Sequence, residues 1–275
     1  GRPRCVRRGR YLAARHLGQT PRVRFASLGS GSHGNGTLVE HDGTCLLIDL
    51  GFTVKETEKR LRRVGRSPAD VAAVLVTHEH GDHIHGVAPF ARKHCVPVYM
   101  TSGTYNSKRL GHLPQLHVIS CHESIFIETF EITPVPVPHD AREPCQYLIS
   151  ADGRTLGLLT DLGHVTRFIE EQYSQCDALI LECNHDVKML ATGPYSARLK
   201  KRVAGNYGHL SNEQAASLLT KVDLDRLQHL VIAHVSEKNN MPMLARDEIC
   251  SASERWSGKL WLADQSDGLD WIDLA

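Results

Sequence analysis

Short apolar runs, each closed by glycine, proline, asparagine or aspartate, recur along this chain and predict a protein built mainly on strands. Residues 23–28 read as a strand and lead into the glycine-rich turn Gly29-Ser30-Gly31-Ser32-His33-Gly34-Asn35-Gly36. Strands over 37–40 and 44–49 flank Asp42-Gly43, a pair favoured in hairpin turns. Residues 53–64 are charged with Val54, Leu61 and Val64 on one side, which predicts a helix. The apolar run 71–76 is a strand, 87–94 a helix and 96–100 a strand. Residues 118–137 have a β pattern ending in Pro134-Val135-Pro136-Val137-Pro138, and prolines so dense belong at a sheet edge or end. More strands are expected at 145–150, 155–160, 178–182 and 230–233. A helix over 212–222 has Ser211 as its cap, Gln214 closing the capping box, and Ala215, Leu218, Leu219 and Val222 as its apolar face. Strands early and late, with helices between and outside them, predict an α/β domain of two sheets packed face to face and covered by helices. Its loops, and with them its chemistry, should gather along one edge.

The chain has 275 residues, enough for one large domain, and no Pro/Gly/Ser-rich linker divides it. No apolar stretch approaches the roughly 20 residues needed to cross a bilayer. The eight cysteines are scattered without a C-x-x-C pair, so they are expected to be reduced thiols in a cytoplasmic protein. The net charge of +1 hides an asymmetry: residues 1–24 carry eight arginines and no acid, and the remainder has 24 basic against 31 acidic groups. Residues 1–22 are therefore expected to form a loose basic arm before a domain over 23–275. An acidic body would hold a polyanion only locally, through metals and a basic patch.

His78, Glu79, His80, Gly81, Asp82 and His83 follow the strand at 71–76 as H-x-H-x-D-H. Two apart on an extended chain, His78 and His80 point the same way. Gly81 lets the chain turn, so Asp82 and His83 address a second point. One segment thus offers ligands to two neighbouring metal ions, as in hydrolysis by a paired-metal centre. The plain alternative is a polar loop that happens to be rich in histidine. More candidate ligands stand where other strands end: His139, Asp161, whose carboxylate could bridge two ions, and His234. A lone histidine is usually an ordinary surface or core residue, but these added to the hexad suit a ligand set with one position left open. Asp49, also at a strand end, is either a turn cap or a hydrogen-bond partner of a ligand histidine. Such His/Asp sites accept zinc, manganese or iron.

With these residues the chain resembles the metallo-β-lactamase superfamily over about residues 23–275. The resemblance implies a four-layer αββα sandwich with two divalent metal ions, zinc or manganese, at one edge. It assigns His78, His80 and His139 to one ion, Asp82, His83 and His234 to the other, and Asp161 to a bridge. Zinc β-lactamases of the classical kind have cysteine where this chain has Asp161. Flavodiiron oxygen reductases have glutamate in place of His80, and the long insertion of the β-CASP nucleases does not fit between Asp161 and His209.

Six blocks narrow the resemblance to the bacterial WalJ/YycJ-type exonucleases: FASLGSGS at 25–32, LIDLG at 47–51, HDAREP at 139–144, TDLG at 160–163, LECNHD at 181–186 and GHLSNE at 208–213. This branch implies a single-strand DNA exonuclease working from the 5′ end and linked to mismatch repair. Two departures are mild: Cys183 stands where serine is usual, and His164 where tyrosine is usual. The block at 208–211, together with Glu182, also resembles ribonuclease Z, in which a Glu–His pair protonates the leaving oxygen. Asp82, Glu182 and His209 are thus expected to serve catalysis, since a departing alkoxide needs a proton that a carboxylate-oriented histidine can give. Phosphate binding is expected at the backbone amides of the glycine turn 30–35, with Ser32 and Asn35 among them, and at His185, Arg198, Lys200, Lys201 and Arg202. Other readings are a ribonuclease-Z-like RNA nuclease, a hydrolase of small esters, lactones or β-lactams, and a metal-stabilised domain without turnover.

Overall fold

Several of the strands are buried along their whole length, which requires cover on both sheet faces. The computed structural model describes residues 22–275, so residues 1–21 of the expected basic arm lie outside the described residues. The first half of the chain supplies β1 (Arg24–Gly29), β2 (Gly36–His41), β3 (Thr44–Ile48), α1 (Val54–Arg63), β4 (Val71–Leu75), α2 (Gly81–Ile84), α3 (Val87–His94), β5 (Val98–Thr101), α4 (Ser107–Leu110) and β6 (Leu116–Ile119). Next come β7 (Ile125–Ile127), β8 (Phe130–Pro136), β9 (Cys145–Ala151), β10 (Arg154–Leu159), α5 (Arg167–Tyr173), β11 (Ala178–Glu182), α6 (Val187–Thr192) and α7 (Ala197–Val203). The chain closes with α8 (Asn212–Leu219), β12 (His229–Ala233), α9 (Pro242–Ala252), β13 (Lys259–Leu262) and β14 (Leu269–Asp273).

Two seven-stranded sheets result, ordered β14-β1-β2-β3-β4-β5-β6 and β13-β12-β11-β10-β9-β8-β7. Phe25, Val39, Ile48 and Leu75 of the first sheet meet Ile132, Tyr147, Ile149, Ile180 and Val231 of the second in a common core. The outer face of the first sheet packs through Leu28, Leu47 and Val74 on Leu61 of α1 and Phe90 of α3. That of the second packs through Leu159, Leu181 and Ile232 on Ile169, Leu218 and Ile249 of the helices α5, α8 and α9. The order helix, sheet, sheet, helix is the αββα sandwich expected.

The differences have local causes. The β pattern at 118–137 breaks at the polar turn 120–124, and its pieces join different sheets. The proline run is not on an edge strand, since β8 lies between β7 and β9. Yet β7 pairs only with Phe130, Glu131 and Ile132, so Pro134 and Pro136 extend past it and withhold no ladder bond on that side. The helix expected to reach 222 ends at Leu219, where the Thr220 hydroxyl donates back to the Ser217 carbonyl. Among the described residues six cysteines are free thiols, but Cys95 is disulfide-bonded, contrary to the reading of eight thiols. Among the described residues no helix is long and apolar enough to cross a membrane.

Candidate metal centre

Strand ends bring the site together. His78 and His80 follow β4, and Asp82 and His83 lie in the single turn of α2, with His80 as its N-cap. His139 comes after β8, Asp161 after β10 and His234 after β12. Three strand-end residues, Asp49 (φ 58°), Asp161 (φ 54°) and His234 (φ 52°), adopt the left-handed conformation. Such a backbone costs an L-residue on the order of 1–3 kcal/mol and persists where surrounding structure enforces it. All three turn their side chains into one cluster.

Hydrogen bonds fix how the imidazoles face. His83 Nδ1 donates to Asp49 Oδ2 (2.8 Å), and the Thr77 hydroxyl donates to the same oxygen (2.8 Å). With its proton committed there, Thr77 Oγ1 accepts from His78 Nδ1 (3.0 Å). His139 Nδ1 donates to the Gly208 carbonyl (3.0 Å). His234 Nδ1 donates to Glu182 Oε1 (2.9 Å). In each of these four rings Nε2 faces the cluster, the usual outer-sphere orientation of a ligand histidine.

The spacing of the inward atoms can be tested against a cation. Ligands about 2.0–2.1 Å from a tetrahedral ion lie about 3.3 Å apart. His139 Nε2 is 3.2 Å from His80 Nδ1. Asp161 Oδ2 is 3.3 Å from His83 Nε2, and Asp161 Oδ1 is 3.5 Å from His234 Nε2. Asp82 Oδ2 is 3.4 Å from His83 Nε2 and 3.5 Å from His234 Nε2. His78 Nε2 and Asp161 Oδ2 are buried without a hydrogen-bond partner, which is costly unless something else satisfies them. Among the described residues His78/His80/His139 and Asp82/His83/His234 form two sets of possible ligands, and Asp161 groups both with His78 and His83 and with Glu182, His209 and His234. The residues present fit a pair of divalent cations.

Electrostatics agree. Burial pushes His78 well below the ordinary histidine range, so it is a neutral donor of its lone pair. Burial acts the same way on His234, but the charge of Asp161 and the hydrogen bonds to Asp82 and Glu182 outweigh it and push it up to about 10. Asp82 is held far below the usual carboxylate range: burial opposes this, but His83 and His234 overcome it. A pocket that stabilises positive charge so strongly suits cations.

At the edge of the cluster His209 Nδ1 donates to Glu182 Oε1 (2.8 Å), the oxygen that also receives His234. Glu182 is fully buried, and its Oε2 accepts from Leu210 N (2.9 Å). Burial disfavours the imidazolium of His209, but the charge and hydrogen bond of Glu182, helped by Asp161, raise it above the ordinary range. The result is a proton-bearing histidine, one-fifth exposed, beside the ligand set.

The expected phosphate contacts fare unequally. Ser32 is exposed on the glycine turn, and Arg198 and Lys201 are exposed on α7. Asn35 is a correction: it is buried, and its backbone N–H, the group expected to face phosphate, donates to the Asp82 carbonyl (2.8 Å). Its carboxamide braces the turn through Gly31 and also reaches the ligand set, with Nδ2 3.3 Å from Asp82 Oδ2 and 3.1 Å from His83 Nε2. His185 is a second correction: it lies only 2 % exposed, where its backbone bridges to Ser211. Thr77, which ties Asp49 to His78, was not singled out in the sequence; its place directly before the hexad was the one available signal.

Two expected outcomes follow from these supports. Asp49→Ala frees the outer nitrogen of His83 and should weaken metal binding about 10–100-fold, read by competition with a chelator. Gly51 packs against the metal loop so closely that an added Cβ would lie 1.8 Å from the Asp82 carbonyl oxygen. Gly51→Ala should therefore push Asp82 aside, costing at least about 1–3 kcal/mol in denaturant unfolding and lowering the metal content.

Comparison with known proteins places this geometry. A family model described as the beta-lactamase superfamily domain matches residues 44–235. Exodeoxyribonuclease YycJ of Bacillus anthracis is 36% identical over 236 residues, covering 84% of this chain and 89% of the relative. The chain belongs to the metallo-β-lactamase superfamily, in its YycJ/WalJ branch. Exodeoxyribonuclease WalJ of Streptococcus pneumoniae serotype 2 is likewise 36% identical, over 81% of this chain and 85% of its own. Among solved structures, the metallo-beta-lactamase fold protein YhfI of Bacillus subtilis superposes with a TM-score of 0.71 at 16% identity, covering 92% of this chain and 100% of its own. The short form of human tRNase Z gives 0.63 at 18% identity, covering 92% and 99%. At those identities the two structures show the shared superfamily fold.

Proposed function

We propose that this chain is a metal-dependent phosphodiesterase that trims single-stranded DNA from the 5′ end, holding zinc or manganese at His78, His80, Asp82, His83, His139, Asp161 and His234. The observation that carries the reading is the Glu182–His209 pair beside the ligand cluster. A phosphodiester of DNA expels an alkoxide, which needs a proton as it leaves, whereas an ester or lactam with a good leaving group hardly does. The exodeoxyribonuclease names of the relatives that match most of the chain support the same substrate.

When bound, a divalent pair activates water and neutralises charge on phosphoryl oxygens. The chain's own part is to orient and to supply the proton. Asp49 and Thr77 hold His83 and His78 in place, Glu182 holds His234, and Gly208 holds His139. Glu182 keeps the proton on His209 Nδ1, so that Nε2 is the atom turned toward the cleft from which a proton is handed to the leaving oxygen. Ser32, exposed on the glycine turn, is a backbone-phosphate contact in this reading. Six free thiols among the described residues support a cytoplasmic place of action, and the disulfide at Cys95 counts against it.

The test uses purified protein with its metals, given 5′- or 3′-labelled single strands, an RNA of the same sequence, and a small ester and a β-lactam. The reading expects mononucleotides released from the 5′ end of DNA at the highest rate. Faster cleavage of the RNA, or turnover confined to the ester or lactam, would overturn it.

A further inference from the structure

One cation stands next to the cluster with part of its hydrogen-bonding capacity unspent. Arg202 on α7 donates from Nε to Asp140 Oδ2 (2.5 Å), and its side chain is 55 % exposed. Its terminal amino groups make no hydrogen bond to any described residue. Asp140 directly follows His139, and its Oδ1 lies 3.6 Å from His139 Nε2 and 3.9 Å from His80 Nε2. The carboxylate thus stands between the guanidinium and two imidazoles of the proposed centre. Its backbone is anchored as well: Asp140 N donates to the Tyr207 carbonyl (3.0 Å), one residue before the Gly208 carbonyl that orients His139. Arg198 precedes Arg202 by one helical turn and shares its face of α7.

We propose that Arg202, aimed by Asp140, grips the phosphate next to the one being cut, and that Arg198 takes the following phosphate along the same helix face. This rests on the reading of the site as a nuclease and adds the path by which the strand enters. The scissile phosphate has to meet the ligand cluster itself. Arg202 reaches that cluster only across the Asp140 carboxylate, so its free N–H groups meet a phosphate one link further along the chain. A bare carboxylate at this entrance would repel a polyanion; paired with a guanidinium it becomes an anchor that fixes the direction of a planar donor fork. Asp140 is the positioning residue, and Arg202 and Arg198 are the binding residues. On a single diester, with no neighbouring phosphate, the pair has nothing to hold.

The experiment compares the metal-loaded wild type with Arg202→Gln, Arg202→Lys, Asp140→Ala and Asp140→Asn. One substrate is an end-labelled oligothymidylate and the other is thymidine 5′-(p-nitrophenyl phosphate), which has one diester. Arg202→Gln should raise KM for the oligonucleotide about tenfold more than for the single diester, as removal of a charge-assisted hydrogen bond implies. Binding of a hydrolysis-resistant phosphorothioate strand, followed by fluorescence anisotropy, should weaken in step. The slope of log Kd against log salt should fall by about 0.7, because one phosphate is no longer neutralised. Arg202→Lys should keep the slope while binding more weakly, since the charge remains and the fork does not. Asp140→Asn, which retains an acceptor for Nε, should stay closer to wild type than Asp140→Ala.

Equal losses on both substrates, or an unaltered salt slope in Arg202→Gln, would show that the pair only braces α7, and would overturn the assignment. If the wild type hydrolyses the single diester but leaves oligonucleotides intact, the nuclease reading itself fails and this path fails with it. If the wild type cuts both and Arg202→Gln keeps the wild-type ratio between them, only the path is lost.

Discussion

Asp161→Ala is expected to abolish cleavage of single-stranded DNA and to release at least one of the two metal ions. Asp161 is almost wholly buried, and its backbone is held in a left-handed conformation at the end of β10. Its Oδ2 lies 3.3 Å from His83 Nε2, while its Oδ1 lies 3.5 Å from His234 Nε2 and 4.0 Å from His139 Nε2. Its Oδ1 thus lies between the two ligand sets, while its Oδ2 faces His83 of the second. Losing even one preorganised electrostatic partner costs about 10²–10³ in kcat, and here both halves of the site lose theirs, so the fall should exceed about 10³-fold. A labelled-strand assay and metal analysis on the same preparation read the two effects together. Asp161→Asn, which keeps the shape and drops the charge, should resemble Asp161→Ala more than the wild type. An Asp161→Ala protein that retains two ions and cuts DNA normally would contradict the bridging role.

The second large effect is a split between substrates in His209→Ala. With the histidine gone, kcat on DNA should fall by about 10²–10⁴, the usual contribution of a positioned acid. A p-nitrophenyl diester releases a leaving group that departs without a proton, so its kcat should fall far less. Because His209 itself touches no inward-facing ligand atom by hydrogen bond, the metal content should stay at the wild-type level. Glu182→Gln should behave differently. The same oxygen holds His234, so this variant should lose metal affinity as well as the acid, and should also be less stable. A uniform fall of His209→Ala on both substrates would mean that the residue acts through structure and not by protonating the leaving group.

How much of this was readable in the sequence differs from residue to residue. The hexad was readable because its ligands are neighbours in the chain and follow an apolar strand, so their common direction needs no tertiary information. His139, Asp161 and His234 were readable as strand-end residues, yet what turns them inward is a left-handed backbone at Asp161 and His234, which no spacing rule announces. Asn35 and His185 show the opposite limit. Asn35 was expected to offer its backbone N–H and His185 its ring, but tertiary packing spends Asn35 N on the Asp82 carbonyl and buries His185 where its backbone bridges to Ser211. The basic residues of α7, Arg202 among them, were legible as a run of charge suited to phosphate, whereas the contact that sets Arg202 beside the metal loop is with Asp140, 62 residues away. The strands β13 and β14 are short and partly exposed, and their partners β12 and β1 lie far off in sequence, so local pattern alone does not mark them.

On this account seven side chains from four strand ends gather two divalent cations, and both ions are needed to cut a phosphodiester. Stepwise addition of zinc or manganese to chelator-stripped protein, with bound metal and release of 5′ nucleotides from labelled single-stranded DNA followed in parallel, tests it most directly. Binding should saturate at two ions per chain, with cleavage rising only as the second is taken up. Saturation at one ion, or equal cleavage by the stripped protein, would contradict it.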